Sequence, residues 1–493
     1  MHSARESSLG FNLKRFYKFF RLLFSNRMAA LGLTMLVISV TAALIAPIAY
    51  PSNPQTTSSS GYFAQPHWVT YFSDGYYLSS NLAVGSDPAF ASPSALQQWS
   101  YGYSQAQSPY LSISWSPLTP SSPPSGSLEI SSSSSSGLNV TVFKTFHYPY
   151  HGPPSRFFLP PLNVEAQGAS PSQPIQVALS LTRGSEKTFT FWSTNLTKNN
   201  AWAFPPYVLD SSGTQFEAAA GLRQSDRLSL PEIIFSQVTD YTFGVSVSFA
   251  GPGIVNLTNL GFTSYGTSFG LLGTDQQGGD LFAQLLWGAR ISLFVGLISA
   301  FIGIGLGLLI GLIAGYKSGL TDEALMRFTD MMLVLPVLPL LLVLITVLGQ
   351  SVFNIILLIG FLGWMGFARV VRSQVLSLAS RPFIEAAKAA GAGTGRILTS
   401  HVFPNVVSLT YVNLALAVPA AILTEAALSF LGLGAPTVIS WGQIINNAET
   451  ANALRDWWWV IPPGVAIAFV SLSFVLMGYA LDEIFNPKLR RRQ

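Results

Sequence analysis

The chain has no cysteine among its 493 residues, which excludes disulfides, thiolate metal sites and cysteine nucleophiles. Charge is almost as scarce. Only 10% of residues are Asp, Glu, Lys or Arg, against about a quarter in soluble domains. Hydrophobic residues make up 49% and the mean hydropathy is +0.41, the composition of an integral membrane protein. The net charge of +4 is modest, and the basic residues flank apolar runs instead of forming a nucleic-acid-binding stripe. Histidine is rare too: His2, His67, His147, His151 and His401. Only His147 and His151, in "HYPYH", approach metal-ligand spacing, and Pro149 prevents a helical i, i+4 pair, so a surface loop is the expectation. "GLIAGYKSG" (Gly311–Gly319) imitates a phosphate loop, but Tyr316 separates Gly315 from Lys317 and the segment closes an apolar run instead of following a strand. No catalytic constellation and no metal site emerge, and a non-enzymatic role is expected.

What the chain does have is long apolar runs. The first, Met28–Tyr50, follows Lys14, Arg15, Lys18, Arg21 and Arg27. At 1.5 Å per residue it is long enough for a hydrocarbon core of about 30 Å. A signal peptide is the rival reading, but its apolar core is normally shorter, about 7–15 residues. An uncleaved span with a cytoplasmic amino terminus is expected. Five more runs follow: Ile291–Tyr316, Phe328–Leu348, Val352–Ala368, Val406–Leu433 and Trp458–Ala480. Six crossings return the carboxyl terminus to the cytoplasm. Lys317, Arg327, Arg369, Arg372, Arg381, Lys388, Arg396, Lys488 and Arg490–Arg492 all fall on the inner side, as positive charge does. Trp457, Trp458 and Trp459 are expected at the outer interface. Pro336 and Pro339 break the third run, and Pro419 the fifth.

Between the first and second runs lies a different composition, rich in Ser, Thr, Pro, Gly and aromatics. Alternating stretches such as "QVALSLT" and "YTFGVSVSFA" predict a β-rich, sandwich-like domain over 51–270, extracytoplasmic by the charge rule. The serine run Ser131–Ser136 and the Pro/Ser tract Leu118–Ser127 read as flexible loops. Three glycosylation sequons occur, at Asn139, Asn195 and Asn256. Trp68, Trp99, Trp115 and Trp192 are either core residues or flat faces for sugar rings.

One stretch among the apolar runs looks soluble: "PFIEAAKAAGAGTGRILTSHVFPN", Pro382–Asn405. Pro382 suits a first helical turn, and "FIEAAKAA" carries Glu385 and Lys388 on one face. Gly391 and Gly393 end that helix, Thr394 caps a second, and Pro404 ends it. Two short helices on a glycine turn make a cytoplasmic knob between the fourth and fifth spans. An amphipathic connector lying on the bilayer is the plainer alternative.

The order of motifs resembles the second permease subunit of dipeptide/oligopeptide-type ATP-binding-cassette importers. The matching text is "NRMAALGL", "APIAYP", "LLGTDQQGGD" (Leu271–Asp280), "ARISLFVGL", "DEALMRFTDMMLVLP", the Glu-Ala-Ala stretch, "ILTEAALSFLGLG" (Ile422–Gly434), "SWG" (Ser440–Gly442) and "NPKLR". It covers about half the chain and skips residues of about 55 to 270. There are departures: Gly279 stands where the family often has Arg, Phe403 precedes Pro404 where a small aliphatic is commoner, and Ser400 precedes His401 where Arg is frequent.

The resemblance implies an all-α membrane fold of six helices, the type I importer permease fold, with the β-rich domain inserted after the first. It implies three parts: 1–50 as amino terminus and first helix, 51–270 as extracytoplasmic domain, and 271–493 as five-helix core with a cytoplasmic loop at 369–405. It also implies that Glu385, Ala386, Ala387, Gly391 and Pro404 couple to a separate ATPase. The implied partners are a second permease, two ATPases that use ATP and Mg, an extracellular substrate-binding protein and the bilayer, with no cofactor held by this chain. The implied cargo is a peptide; oligosaccharide or nickel are alternatives within the class. An adhesion or receptor ectodomain on a membrane anchor is the reading from another class. Glu425, late in an apolar run, should face the bundle or its outer mouth, or sit at the interface, because a carboxylate at a span's centre costs about 2.5–3.5 kcal/mol. Asp275 and Asp280 either touch a binding protein at that mouth or cap a helix.

Overall fold

The computed structural model describes residues 26–103, 109–117, 126–219 and 229–485. The basic residues before Asn26, those after Phe485 and most of the Leu118–Ser127 tract lie outside the described residues. The chain divides into two compact units: a helical one, up to Gln55 and from Leu281 onward, and a β-rich one, Thr56–Asp280.

The helical unit begins with α1 (Arg27–Ala49). Asn26 starts it, its side-chain oxygen accepting from the amides of Met28 and Ala29, a standard cap. Its buried residues Ala29, Gly32, Met35, Ser39, Ala43 and Ala46 recur every three or four positions, giving one packed stripe.

The β-rich unit carries strands β1 (Leu82–Val84), β2 (Ser100–Tyr103), β3 (Leu111–Ser116), β4 (Ser127–Ser132), β5 (Leu138–Tyr148), β6 (Arg156–Phe158), β7 (Asn163–Gln167), β8 (Ile175–Arg183), β9 (Lys187–Leu196) and β10 (Asn200–Ala203). Helices α2 (Thr214–Ala219) and α3 (Leu230–Ile234) follow, then β11 (Thr239–Phe249), β12 (Gly253–Thr258) and β13 (Phe262–Tyr265). Two antiparallel five-stranded sheets, ordered β2-β5-β11-β8-β9 and β10-β7-β12-β4-β3, share one apolar core. A third sheet is β1-β13-β6. The alternation that marked these strands is what fills the core: Tyr241, Phe243, Val245, Val247 and Phe249 of β11 all point inward, as a period of two requires.

Several expectations for this unit change. Its boundary is Asp280, not 270, because amides at the start of the unit bond back to its end: Ser59 N to Gly278 O at 2.7 Å and Phe63 N to Asp275 O at 3.0 Å. The serine run is not a loose loop. Ser131 and Ser132 complete β4, and Ser134 Oγ donates to Ser136 O at 2.7 Å. Trp99 and Trp192 are buried in the core, and Trp115 donates its Nε1 to Phe90 O, leaving only Trp68 of the four exposed. Asn139 and Asn195 are exposed, but Asn256 is buried, with Nδ2 donating to Glu165 Oε2 at 2.9 Å. A glycan on Asn256 would displace that bond. His147 turns to Asp240 at 2.8 Å, while His151 stacks on Tyr76.

The helical unit resumes with α4 (Leu281–Lys317), α5 (Gly319–Val334), α6 (Val337–Leu348), α7 (Val352–Leu362), α8 (Met365–Ala379), α9 (Pro382–Ala389), α10 (Thr394–Ile397), α11 (Phe403–Leu428), α12 (Trp441–Thr450) and α13 (Trp457–Phe485). Among the described residues five helical runs are long and apolar enough to cross a membrane: Arg27–Ala49, Leu281–Lys317, Val352–Ala379, Thr394–Leu433 and Trp457–Ile484. The expected third span is bent instead. α5 and α6 meet at 86°, where Leu335 and Pro336 interrupt the helical bonds.

Glycine makes the packing possible. A Cβ on Gly307 would lie 2.7 Å from Trp364 O, one on Gly311 2.6 Å from Ala368 O, and one on Gly315 2.7 Å from Val375 Cβ. This small stripe of α4 lets α8 approach backbone to backbone, as small residues do where lipid offers no hydrophobic drive. Gly32 of α1 does the same against Ser473 of α13. Three local expectations fail. Pro419 lies inside an unbroken α11. Trp458 and Trp459 are buried, so only Trp457 of that trio faces outward. Pro404 does not end a helix but sits in the first turn of α11, where it needs no amide partner.

Candidate functional site

Two places in the helical unit concentrate unusual chemistry. The first is the hairpin of α9 and α10. α9 closes at Gly391, whose φ of +83° is open to glycine without strain; Gly391 N bonds Lys388 O, and Ala392 N bonds Ala387 O, both at 3.0 Å. The second arm differs from the expected short helix. Gly393, not Thr394, is the cap residue, and α10 runs through a wide turn at Leu398–Val402 into α11, one helical stretch from Thr394 to Leu433. That turn, in which Phe403 N reaches back to Leu398 O, absorbs the amide Pro404 lacks.

The hairpin has an anchored side and a free side. Ile384, Ile397 and Val402 are buried in one cluster with Phe367, Val371 and Val375 of α8. Lys388 places Nζ 5.2 Å from the centre of the Tyr316 ring at the end of α4, a cation–π contact. Glu385, Ala386, Ala389 and Gly391 are exposed, and Ala387 is half-buried. Glu385 forms no ion pair among the described residues. A Cβ at Gly391, Gly393 or Gly395 would meet nothing within 4 Å. The result is a rigid prominence, smooth at its tip, carrying one unpaired carboxylate. Pro404 lies exposed at the base of this prominence.

The second place is Glu425, in α11 and 2% exposed. Ser429 Oγ donates to its Oε1 at 2.7 Å. The hydroxyls of Ser292 on α4 and Ser440 beside α12 flank the same carboxyl, although by strict hydrogen-bond geometry Oε2 has no partner. Both hydroxyls already accept backbone amides at the start of α12: Trp441 N to Ser292 Oγ and Gln443 N to Ser440 Oγ, each at 3.2 Å. Glycines permit this closeness, since a Cβ on Gly442 would lie 2.6 Å from Ala426 Cα and one on Gly434 2.5 Å from Ser429 Oγ. Glu425 is buried within the helical unit. Ser440 was visible only as part of the "SWG" motif, and nothing in the residue order pointed to Ser292, which lies far from Glu425 along the chain.

Asp275 and Asp280 belong to the β-rich unit and are buried there. Asp275 Oδ1 accepts from Gln277 N and Gly279 N, each at 2.8 Å, so it closes its own loop; Asp280 pairs with Thr274 as an isolated bridge. Next to the bend at Pro336 lies a cavity of about 240 Å³ lined by α4, α6, α7 and α11. Its two hydroxyls, Ser299 and Thr424, donate to Ile356 O and Ala420 O.

Comparison with known proteins decides the family. The model of the binding-protein-dependent transport system inner membrane component matches residues 307–491, and that of the N-terminal TM domain of oligopeptide transport permease C matches residues 15–66. The dipeptide transport system permease protein DppC of Bacillus subtilis is 39% identical over 221 residues, 44% of this chain and 69% of that protein. The chain belongs to the peptide-type permease family of binding-protein-dependent ABC importers. The oligopeptide transport system permease protein OppC of Bacillus subtilis is 38% identical over 44% of this permease and 72% of its own length. The glutathione transport system permease protein GsiD of Pectobacterium atrosepticum is 34% identical over 44% and 73%. Both places just described, the hairpin and Glu425, fall within 307–491. The family models leave 67–306 unmatched, which takes in nearly all of the β-rich unit. A carbohydrate-binding module in complex with β-1,4-galactotriose aligns with 34% of this permease and 88% of its own chain at a TM-score of 0.21 and 9% identity, a likeness that fixes neither fold nor ligand.

Proposed function

We propose that this permease is a translocation subunit of an ATP-driven importer of peptides or peptide-sized solutes, and that Pro382–Asn405 is where it meets an ATPase. The observation that carries this reading is the two-sided hairpin: Ile384, Ile397 and Lys388 tie it to α8 and α4, while Glu385, Ala386 and Gly391 stand exposed. Small side chains allow a partner's backbone to come close, and Glu385 offers it a charge-assisted bond. Force applied to the hairpin passes through packed side chains and displaces α8 and α4 as rigid bodies, the movement alternating access requires.

In this reading there are six crossings, the bent α5–α6 pair counting as one, and both termini are cytoplasmic. The complex contains a second permease, two ATPases that bind ATP and Mg, and a substrate-binding protein on the far side. No catalytic group is assigned to this chain. A peptide cargo is favoured because the similar proteins are named for dipeptides, oligopeptides and glutathione. The β-rich unit, extracytoplasmic in this topology, serves to retain the binding protein.

In the reconstituted complex, Glu385→Arg abolishes substrate-stimulated ATP hydrolysis while insertion and assembly persist; stimulation equal to the parent's refutes the coupling role. Deletion of Ser52–Thr267 lowers uptake and weakens capture of the binding protein, and undiminished uptake with unchanged capture refutes that part.

A further inference from the structure

We propose that Glu425, Ser292 and Ser440 form a buried clasp that holds α12 down on α4 and α11, and that the clasp opens when the mouth of the permease opens. Glu425 is thus a positioning residue, acting on transport through α12.

The argument starts from hydroxyl chemistry. A serine hydroxyl accepts with its lone pairs and donates one proton. Ser292 Oγ accepts from Trp441 N, and Ser440 Oγ accepts from Gln443 N, so each keeps its own proton to give. Both hydroxyls flank the Glu425 carboxyl, whose Oε2 is buried and still open to a donor. The order amide, hydroxyl, carboxyl leads from the electropositive first turn of a 10-residue helix to an acidic group, the favourable direction for the helix dipole. Ser429 holds the other oxygen at 2.7 Å, which fixes the carboxyl's rotation.

The surroundings have the properties of a latch. Beyond the clasp, α12 is tied by Trp441 Nε1 to Leu285 O at 3.0 Å and by Asn446 Nδ2 to Phe430 O at 2.9 Å. These are single polar contacts near two close glycine approaches, Gly288 against Trp441 and Gly442 against Ala426. Contacts of this kind have two discrete states, made or broken. Gly432, at φ +78° between α11 and α12, supplies a pivot that a residue with Cβ would strain.

The absence of cysteine gives a clean test. Ala448→Cys places the chain's single thiol on the buried face of α12. Labelling by a membrane-impermeant maleimide is followed in the whole complex without nucleotide, with Glu425 intact and in Glu425→Gln, Glu425→Leu and the Ser292→Ala/Ser440→Ala pair. The expected result is labelling roughly tenfold faster in Glu425→Leu and in the serine pair, as losing a buried hydrogen bond implies, and an intermediate rate in Glu425→Gln. Equal rates in assembled complexes overturn the clasp. Loss of assembly in all three variants also overturns it, since Glu425 would then be a folding determinant and no gate. The opening step rests on the importer reading. The labelling needs no ATP hydrolysis, so failure here is separable from failure of the Glu385 test.

Discussion

Arg372 of α8 grips Asp322 of α5 through two parallel bonds, Nε to Oδ1 and Nη2 to Oδ2, both at 2.5 Å. Arg369 of α8 reaches Asp330, two turns further along α5, with Nε and Nη2 both on the one oxygen Oδ1. Two ion pairs thus rivet the first half of the bent pair to α8, the helix on which the hairpin is seated.

Breaking the inner pair should be costly because Asp322 is largely shielded. Arg372→Ala leaves the Asp322 carboxylate unpaired, and the partly exposed arginine limits the loss to about 2 kcal/mol, below the cost of a fully buried pair. The expected outcome is a lower unfolding midpoint in detergent. Joining Asp322→Ala to Arg372→Ala should recover part of it, because no orphan charge remains. A double variant no better than the single one would refute the pairing.

The glycine stripe of α4 gives a contrast within one helix. Gly311→Val drives side-chain atoms into Ala368 O and Val371 and should cost about 1–3 kcal/mol, the usual range for overpacking. Gly305→Ala, where a Cβ meets nothing within 4 Å, should be neutral or slightly stabilising through helix propensity. Unfolding midpoints of the two variants, compared side by side, decide it.

Tyr241 predicts an alkaline limit for the β-rich unit. Burial pushes its hydroxyl up to about 12, opposed by the nearby Arg183 charge and by its bond to Gln237 O. The unfolded chain ionises near 10, so below that pH both states hold the proton and the native advantage is complete. From pH 10 to 12 the unfolded state sheds the proton first, and stability falls by on the order of 2 kcal/mol. Near-ultraviolet circular dichroism across that range should report the loss. Tyr241→Phe should flatten the slope.

Among the three sequons, only Asn256 carries structural weight. Asn256→Ala removes a buried amide and its bond to the half-buried Glu165 and should cost about 1–3 kcal/mol, whereas Asn139→Ala and Asn195→Ala, at exposed sites, should be within about 0.5 kcal/mol of the parent. Susceptibility of the β-rich unit to protease measures the difference.

Much of this was legible from the chain. Long uncharged runs require helices because lipid satisfies no backbone group, and alternation in "YTFGVSVSFA" requires a strand with one buried face. The order of family motifs located the hairpin, and a lone Glu425 in an apolar run required shelter. Other features were not legible, for identifiable reasons. Arg369 and Arg372 counted only as basic flank, since their partners Asp330 and Asp322 lie far away along the chain. Pro404 and Pro419 looked like breaks, because sequence alone does not show whether a wide turn or a neighbouring helix absorbs a missing amide. Trp458 and Trp459 looked interfacial, and packing buried them.

The sequence by itself determined the division into apolar helices and β-rich insert, the glycine turn at Gly391 and the family, because these depend on local composition and spacing. Only the tertiary structure decided which charges pair, which glycines touch a neighbour's backbone and what surrounds Glu425. Those outcomes depend on distances between residues remote in the chain, and a carboxyl flanked by Ser292 and Ser440 exists only once α4, α11 and α12 have come together.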